Sequence, residues 1–403
     1  MPRRPMDSVH VGGLIQKLST GSILITIPPE EVEKVLRETG TESLRTRLLP
    51  APVTMYLVLL LGMHAEVSVR ENLGMLLEPL RRKFRMEGIP IATGGAITKA
   101  RKRLGAAPFV RLFDTLAKPM GHPETPGCFW KGYRLVAADG TTLQTQDTEA
   151  NRLRFGCHEN QFGAGGYPQI KAVVMVECGT RIPLGCAWGG GDEYEPGIFD
   201  PLRQKLEKDM IFLVDRAYYS FERWQACAEK AGALLWRVKS SLEPRPVEKL
   251  ADGSWLAEIR PSVKLIRKGL SKAEESAIVR VIEYRPRFDN GQEGELVRLF
   301  TTLLDPKAAP AEELANLYSE RWETETGFDE LKNGLIGPNR VLRSQLPELV
   351  EQELYGYLLS YYAVRATMAA AAHAKGYAPN ELSFIHAVRV IQRRLPFPPC
   401  EPN

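Results

Sequence analysis

Two apolar runs in this chain each stop at an aspartate. Arg134-Leu135-Val136-Ala137-Ala138 runs into Asp139-Gly140, and Met210-Ile211-Phe212-Leu213-Val214 runs into Asp215-Arg216. Short apolar runs bounded by polar residues read as buried strands. Further strands are predicted over 171–176, 183–188 and 233–238, with a helix over 221–231. Strand, helix and strand in succession make an α/β body. Such bodies carry their sites at the C-terminal ends of strands. Carboxylates there offer the hard oxygen donors that Mg²⁺ prefers. A strand-end aspartate can equally cap the next turn, so neither acid identifies a site alone.

The flanking segments differ in texture. Residues 29–116 read as helical: Pro29-Glu30-Glu31 puts acids in a first turn, and 48–63 and 67–80 carry helix-length apolar patterns. The whole chain has a net charge of +4, but Met1 to Trp130 holds 18 Lys/Arg against 12 Asp/Glu, leaving −2 for the remainder. A basic N-terminal third on a slightly acidic body suits a nucleic-acid-binding module, although a solvated basic face would give the same balance. Its most basic segment carries Lys99, Arg101, Lys102 and Arg103, follows Thr93-Gly94-Gly95 and stops at Gly105. It reads as the second helix of a helix-turn-helix, with those four side chains on DNA, or as a surface helix at a domain edge.

A β-rich insertion is expected over about 243–305, with turns at Asp252-Gly253 and Asn290-Gly291. Helix resumes at Ala311 and runs through Lys332, and apolar helices follow over about 349–395. The six cysteines are scattered without a C-x-x-C pair, which argues against a zinc site and for reduced thiols. The apolar run 55–63 is too short to cross a bilayer and is expected as a core helix. No apolar stretch follows Met-Pro-Arg-Arg-Pro, so no signal peptide is expected. Asp139-Gly140-Thr141 comes within one residue of the D-x-D-G-T motif of haloacid-dehalogenase-type phosphatases. The nucleophilic position of that motif is Ala137 here, which argues against the class.

The most informative segment runs from Tyr318 to Lys332. At roughly 100° per residue, Tyr318, Arg321, Glu325 and Lys332 fall in one stripe about 60° wide, beside an apolar strip of Leu317, Phe328 and Leu335. A helix-stabilising Arg321–Glu325 pair accounts for two of these residues but not for four. Asp329 shares the face, so the wheel alone does not choose between it and Glu325 as the functional acid.

Spaced Y-x₂-R-x₃-E-x₆-K, this segment resembles the signature of DDE transposases of the insertion-element-four family. Asp139-Gly140-Thr141 and Asp215-Arg216-Ala217-Tyr218-Tyr219-Ser220 resemble that family's first and second aspartate motifs. Gly166 to Lys171 and Val176 to Gly179 resemble the strand between them. The resemblance implies an α/β, ribonuclease-H-like catalytic domain over 126–403 with the β-rich insertion, preceded by an all-helical DNA-binding domain over 1–125. It implies Asp139, Asp215 and Glu325 as catalytic ligands of two Mg²⁺ or Mn²⁺ ions. Tyr318, Arg321 and Lys332 would grip phosphates, and Trp255 and Trp322 are candidates for base stacking. Expected partners are double-stranded DNA, as terminal inverted repeats and target, and a second copy of the chain in a synaptic homodimer, with no membrane. The implied chemistry is metal-dependent cleavage at transposon ends and strand transfer, in a bacterial, cytoplasmic, nucleoid-associated protein. A nuclease without strand transfer and a non-catalytic DNA-binding derivative are the alternatives.

Overall fold

The structure, a computed structural model, describes residues 26–394 apart from 44–48, 85–90, 158, 161–162, 165, 270–271, 273, 287–291 and 339. The expected turn at Asn290-Gly291 lies outside the described residues, as do the segments before 26 and after 394.

The apolar runs are continuous because both faces of their strands are covered. Val136 and Ala138 join one buried cluster with Phe212 and Val214, while Leu135 and Ala137 join another with Ile211 and Leu213. One sheet contains β1 (Tyr133–Gln144), β2 (Gln169–Glu177), β3 (Ile182–Gly190), β4 (Met210–Val214), β5 (Ala233–Val238), β6 (Arg245–Lys249), β7 (Trp255–Ile259), β8 (Ala277–Tyr284) and β9 (Val297–Thr301). Its order is β3-β2-β1-β4-β5-β9-β8-β7-β6, with the short strand Phe129–Trp130 paired to β1. β1, β4 and β5 are parallel, and β2 is antiparallel to both neighbours. The β3-β2-β1-β4-β5 half is the ribonuclease-H-like arrangement. The insertion forms no sheet of its own. It extends the main sheet through β9, which pairs antiparallel with β5.

Register brings the strand-end acids together. The last β1–β4 pair is Ala137 with Leu213. Two residues further along each chain come Asp139 and Asp215, pointing to the same face because side chains alternate with period two. Adjacent strands lie about 4.8 Å apart, so Asp139, within β1, and Asp215, just past the end of β4, are neighbours on one face, although β1 itself runs on to Gln144 beside β2.

The helical part comprises α1 (Pro29–Glu38), α2 (Ala51–Met63), α3 (Val69–Phe84), α4 (Gly94–Leu104) and α5 (Ala107–Leu116). α6 (Phe221–Lys230) lies between β4 and β5, and after the last strand come α7 (Ala311–Leu317), α8 (Trp322–Asp329), α9 (Pro347–Lys375) and α10 (Phe384–Arg394). α2 is apolar on every side and almost wholly buried, as a helix surrounded by others must be. It crosses α9, and the N-terminal helices, α9, α10 and one face of β2 share a single hydrophobic core. The change near residue 125 is therefore one of secondary structure and not of packing.

α4 confirms the basic helix and its stop at Gly105, where φ is 69°. Gly94 and Gly95 belong to its first turn, capped by the Thr93 hydroxyl, and do not form a turn of their own. Arg101 is corrected as a DNA contact. It shares the buried face with Ile97, Ala100 and Leu104, the i, i+3, i+4, i+7 pattern of a packed helix, and is only 6% exposed. Its guanidinium donates to Gln352 Oε1 (2.6 Å), Ser344 Oγ (3.2 Å) and the Leu349 carbonyl (3.2 Å), tying α4 to α9. Lys99, Lys102 and Arg103 are exposed.

The α2–α9 crossing needs glycine. A Cβ on Gly62 would stand 2.4 Å from Ser360 Oγ and 2.9 Å from the Gly356 carbonyl oxygen. Helix propensity alone favours Gly→Ala by about 1 kcal/mol, whereas overpacking costs about 1–3 kcal/mol. Gly62→Ala should lower the unfolding free energy, measured by denaturant titration. Gly95→Ala in the same assay should leave it unchanged or raise it, since a Cβ there meets nothing within 4 Å.

Candidate active site

β1 delivers Asp139 with both flanks fixed: Ala137 and Ala138 are fully buried, and the Gly140 N–H donates to Asp139 Oδ1 at 2.8 Å. Asp215 leaves β4 and opens a single 3₁₀ turn, Arg216–Tyr218, accepting from the Ala217 N–H at 3.4 Å. The end of β4 is pinned from two sides. The Trp236 indole donates to the Asp215 carbonyl at 3.1 Å, and the Tyr318 hydroxyl donates to the Val214 carbonyl at 3.2 Å.

The third acid arrives on a helix whose pitch changes twice: a 3₁₀ turn over Tyr318–Arg321, α8, then a π segment over Glu330–Ile336. The uniform 100° wheel therefore does not describe it. Arg321 is 5% exposed, and its fork reaches two acids at once: Nη1 donates to Asp139 Oδ2 at 3.1 Å and Nη2 to Glu325 Oε1 at 2.6 Å. Asp329, the other acid on that face, is exposed. Burial pushes the Asp139 carboxyl up to about 6, against the Gly140 N–H and Arg321, with Glu325 and Glu195 adding to the rise.

Two of the expected phosphate contacts are engaged within the protein. Tyr318 is buried and its hydroxyl donates to the Val214 carbonyl, holding the end of β4. Arg321 turns its fork to the acids and lies 5.1 Å from the centre of the Trp322 ring. Lys332 is half-buried on the π segment and makes no hydrogen bond or ion pair with a described residue. Trp322 is 57% exposed and stacks beside the Arg321 guanidinium, so its ring is open to solvent. Trp255 opens β7 and packs against the buried cluster beneath it, so it is an edge of the core and not a free platform.

Several neighbours carry no sequence signal. Arg181, at a left-handed turn (φ 56°) between β2 and β3, pairs with Glu323 and with Glu330, the latter at 2.6 Å. Arg365 of α9 also pairs with Glu330, which accepts from the Tyr361 hydroxyl at 3.0 Å. These bonds clamp the segment that carries Glu325. Beside Asp215, a cavity of about 350 Å³ is lined by Arg216, Arg237, Arg285, Ser240 and Glu295. Glu295 lies 3.7 Å from both Arg216 and Arg237, and Arg237 lies 4.0 Å from Asp215.

Residues 130–362 match the family described as the transposase DDE domain, and residues 18–114 match the insertion element 4 transposase N-terminal region. The chain belongs to the DDE transposase family. It is similar to the transposase InsG for insertion sequence element IS4 of Escherichia coli (strain K12), 29% identical over 376 residues, which span 92% of this chain and 81% of that one. Among solved structures, a piggyBac transposase synaptic complex with hairpin DNA aligns over 95% of this chain and 81% of its own, with a TM-score of 0.46 and 10% identity. The transposase is thus an enzyme of DNA transposition that depends on divalent metal ions and has DNA as its partner. No helix among the described residues is long and apolar enough to cross a membrane.

The donor set of the transposase suits such an ion in kind, being carboxylates only, and Asp139 and Glu325 already converge on one positive charge. That charge is the Arg321 guanidinium. No three His, Cys, Asp or Glu side chains among the described residues are gathered closely enough to hold an ion as they stand.

The raised Asp139 pKa has a signed consequence. A carboxyl whose folded pKa exceeds its ordinary value of 3.8 favours the folded state when protonated and loses that contribution as pH rises through the folded value, about 6. In metal-free buffer, the stability of wild type relative to Asp139→Asn should fall by about 2 kcal/mol between about pH 4 and about pH 7. A difference independent of pH in chemical denaturation would mean that Arg321 keeps Asp139 ionised throughout.

Proposed function

We propose that this transposase excises its element by cutting at the terminal inverted repeats and joins the ends to target DNA, with Asp139, Asp215 and Glu325 as the catalytic acids. The observation that carries the reading is the Arg321 fork, which ties a strand-borne aspartate to a helix-borne glutamate, with a second aspartate following the end of the neighbouring strand. The acids would hold two divalent ions, Mg²⁺ with Mn²⁺ as substitute. When bound, such ions activate water or a 3′-hydroxyl and stabilise the leaving oxygen of an in-line displacement at phosphorus. The chain's own residues supply the rest. Carboxylate oxygens aim at the reacting phosphate from the sheet edge. Lys332 and the arginines lining the cavity beside Asp215 offer charge to phosphates on either side. Trp322 presents a ring against which an unpaired base can stack.

Lys99, Lys102 and Arg103 form the exposed edge of α4, and we assign them to DNA backbone contacts. Two ends must be handled together, which favours a homodimer, and the reading places the protein in the bacterial cytoplasm on the nucleoid.

Asp139→Ala, Asp215→Ala and Glu325→Ala should each lower Mg²⁺-dependent cleavage of end-containing DNA by more than about a hundredfold, since even outer-shell partners of metal ligands are worth 10–100-fold. An acid whose loss leaves cleavage intact is wrongly assigned. Cutting without joined product from pre-cut ends would mark a nuclease and not a transposase mechanism.

Replacing Lys99 and Lys102 with alanine should flatten the plot of log affinity against log salt by about 1–2 units, because each phosphate contact releases counterions. Arg101→Ala should instead reduce folding stability, as its partners Gln352 and Ser344 are buried. An unchanged slope in the double variant would remove α4 from the interface.

A further inference from the structure

Glu195 belongs to none of the motifs above, yet it stands at the junction of two of them. It lies in the first turn of a short helix, Glu195–Phe199, and its carboxyl packs flat against Gly140, the residue that follows Asp139. A Cβ on Gly140 would fall 2.3 Å from the Glu195 carboxyl carbon, so glycine at 140 makes room for this carboxylate. The same carboxylate accepts a hydrogen bond of 2.7 Å from the hydroxyl of Tyr218. Tyr218 is 1% exposed and sits three residues after Asp215, at the end of the 3₁₀ turn that Asp215 caps. Its ring packs edge-on against Phe199 of the same short helix, with centroids 5.4 Å apart.

The β1–β4 pairing ends at Ala137 and Leu213, so no ladder bond joins the two strands at the acids themselves. Past that point Asp139 stays paired with Val174 of β2, and the end of β4 is held by Trp236 and Tyr318, so each acid is fixed on its own side but not directly to the other. The Tyr218–Glu195 bond closes the gap from the other face of the sheet, linking the chain just after Asp215 to the chain just after Asp139.

We propose that Tyr218 and Glu195 form a clasp that sets the spacing of Asp139 and Asp215, and that both are positioning residues for divalent-cation binding. The proposal rests on the metal-ligand reading given above. It attributes the effect to the hydrogen bond and not to the Glu195 charge. Glutamine at 195 keeps an acceptor oxygen for Tyr218, whereas alanine at 195 and phenylalanine at 218 do not.

The test is Mn²⁺ binding to the full chain without DNA, followed by electron paramagnetic resonance, with folding of each variant checked by circular dichroism. Tyr218→Phe and Glu195→Ala should each weaken Mn²⁺ binding about tenfold, the scale of outer-shell effects, and Glu195→Gln should recover most of the loss. Mn²⁺ should also lose less than Mg²⁺ in a competition titration, because Mg²⁺ demands closer to ideal geometry. Wild-type affinity in Tyr218→Phe, or a Glu195→Gln variant as weak as Glu195→Ala, would overturn the clasp. Asp139→Asn and Asp215→Asn serve as the separate control. If both still bind Mn²⁺ as wild type does, the metal-ligand reading itself fails, and if they do not while Tyr218→Phe does, only the clasp fails.

Discussion

Asp139 and Glu325 repel one another, and the arrangement of this molecule follows from how that repulsion is met. Two unit charges about 5 Å apart in a medium of effective dielectric about 20 cost roughly 3 kcal/mol, a large part of a domain's net stability. Burial adds to this cost, as the raised Asp139 pKa records. Arg321 answers it by placing one guanidinium between Asp139 and Glu325. Breaking a buried pair from one side is far more costly than the pair is worth. The helix that carries Arg321 therefore has to be held in place.

The surrounding bonds do this from both ends. Tyr318 fixes the start of the segment to the end of β4. Glu323 and Glu330 fix its middle and end through Arg181 and Arg365, the first from the β2–β3 turn and the second from α9. The π segment at Glu330–Ile336 widens the helix where it meets α10, against whose Phe384 ring Gly334 leaves no room for a Cβ. π segments recur at functional sites because they re-aim side chains. Here the segment decides where Lys332 points, and it leaves that lysine the one member of the Tyr318–Arg321–Glu325–Lys332 stripe without a partner among the described residues.

What was legible in the sequence follows the range of the interactions. The strand end before Asp215, the α4 stop at Gly105 and the helical face shared by Arg321 and Glu325 are local patterns, and the structure has them where periodicity put them, whereas the strand expected to end at Asp139 runs on to Gln144 because β2 continues to pair with it. Arg101 was misread because its charge looked local, while its partners Gln352, Ser344 and Leu349 lie more than two hundred residues away. The bond Tyr318 makes was out of the sequence's reach for the same reason, its acceptor being 104 residues back. A helical wheel identifies a face but does not say whether a sheet edge, a ligand or solvent lies opposite. Glu195 left no trace at all, since the reason for glycine at 140 is a carboxylate brought in by a short helix that no periodicity predicts.

The long helix α9 connects these local facts to the whole. Its Gly356 and Ser360 meet α2, its Gln352 meets α4, and its Tyr361 and Arg365 hold Glu330 behind the acid-bearing helix. The basic edge of α4 and the Glu325 segment are thus mounted on one rod within one core. Packed interiors transmit displacement because they have few voids to absorb it. A DNA strand laid across α4, as proposed above, would lie at a distance from the acid-bearing segment that helix packing fixes, and not the reach of a linker.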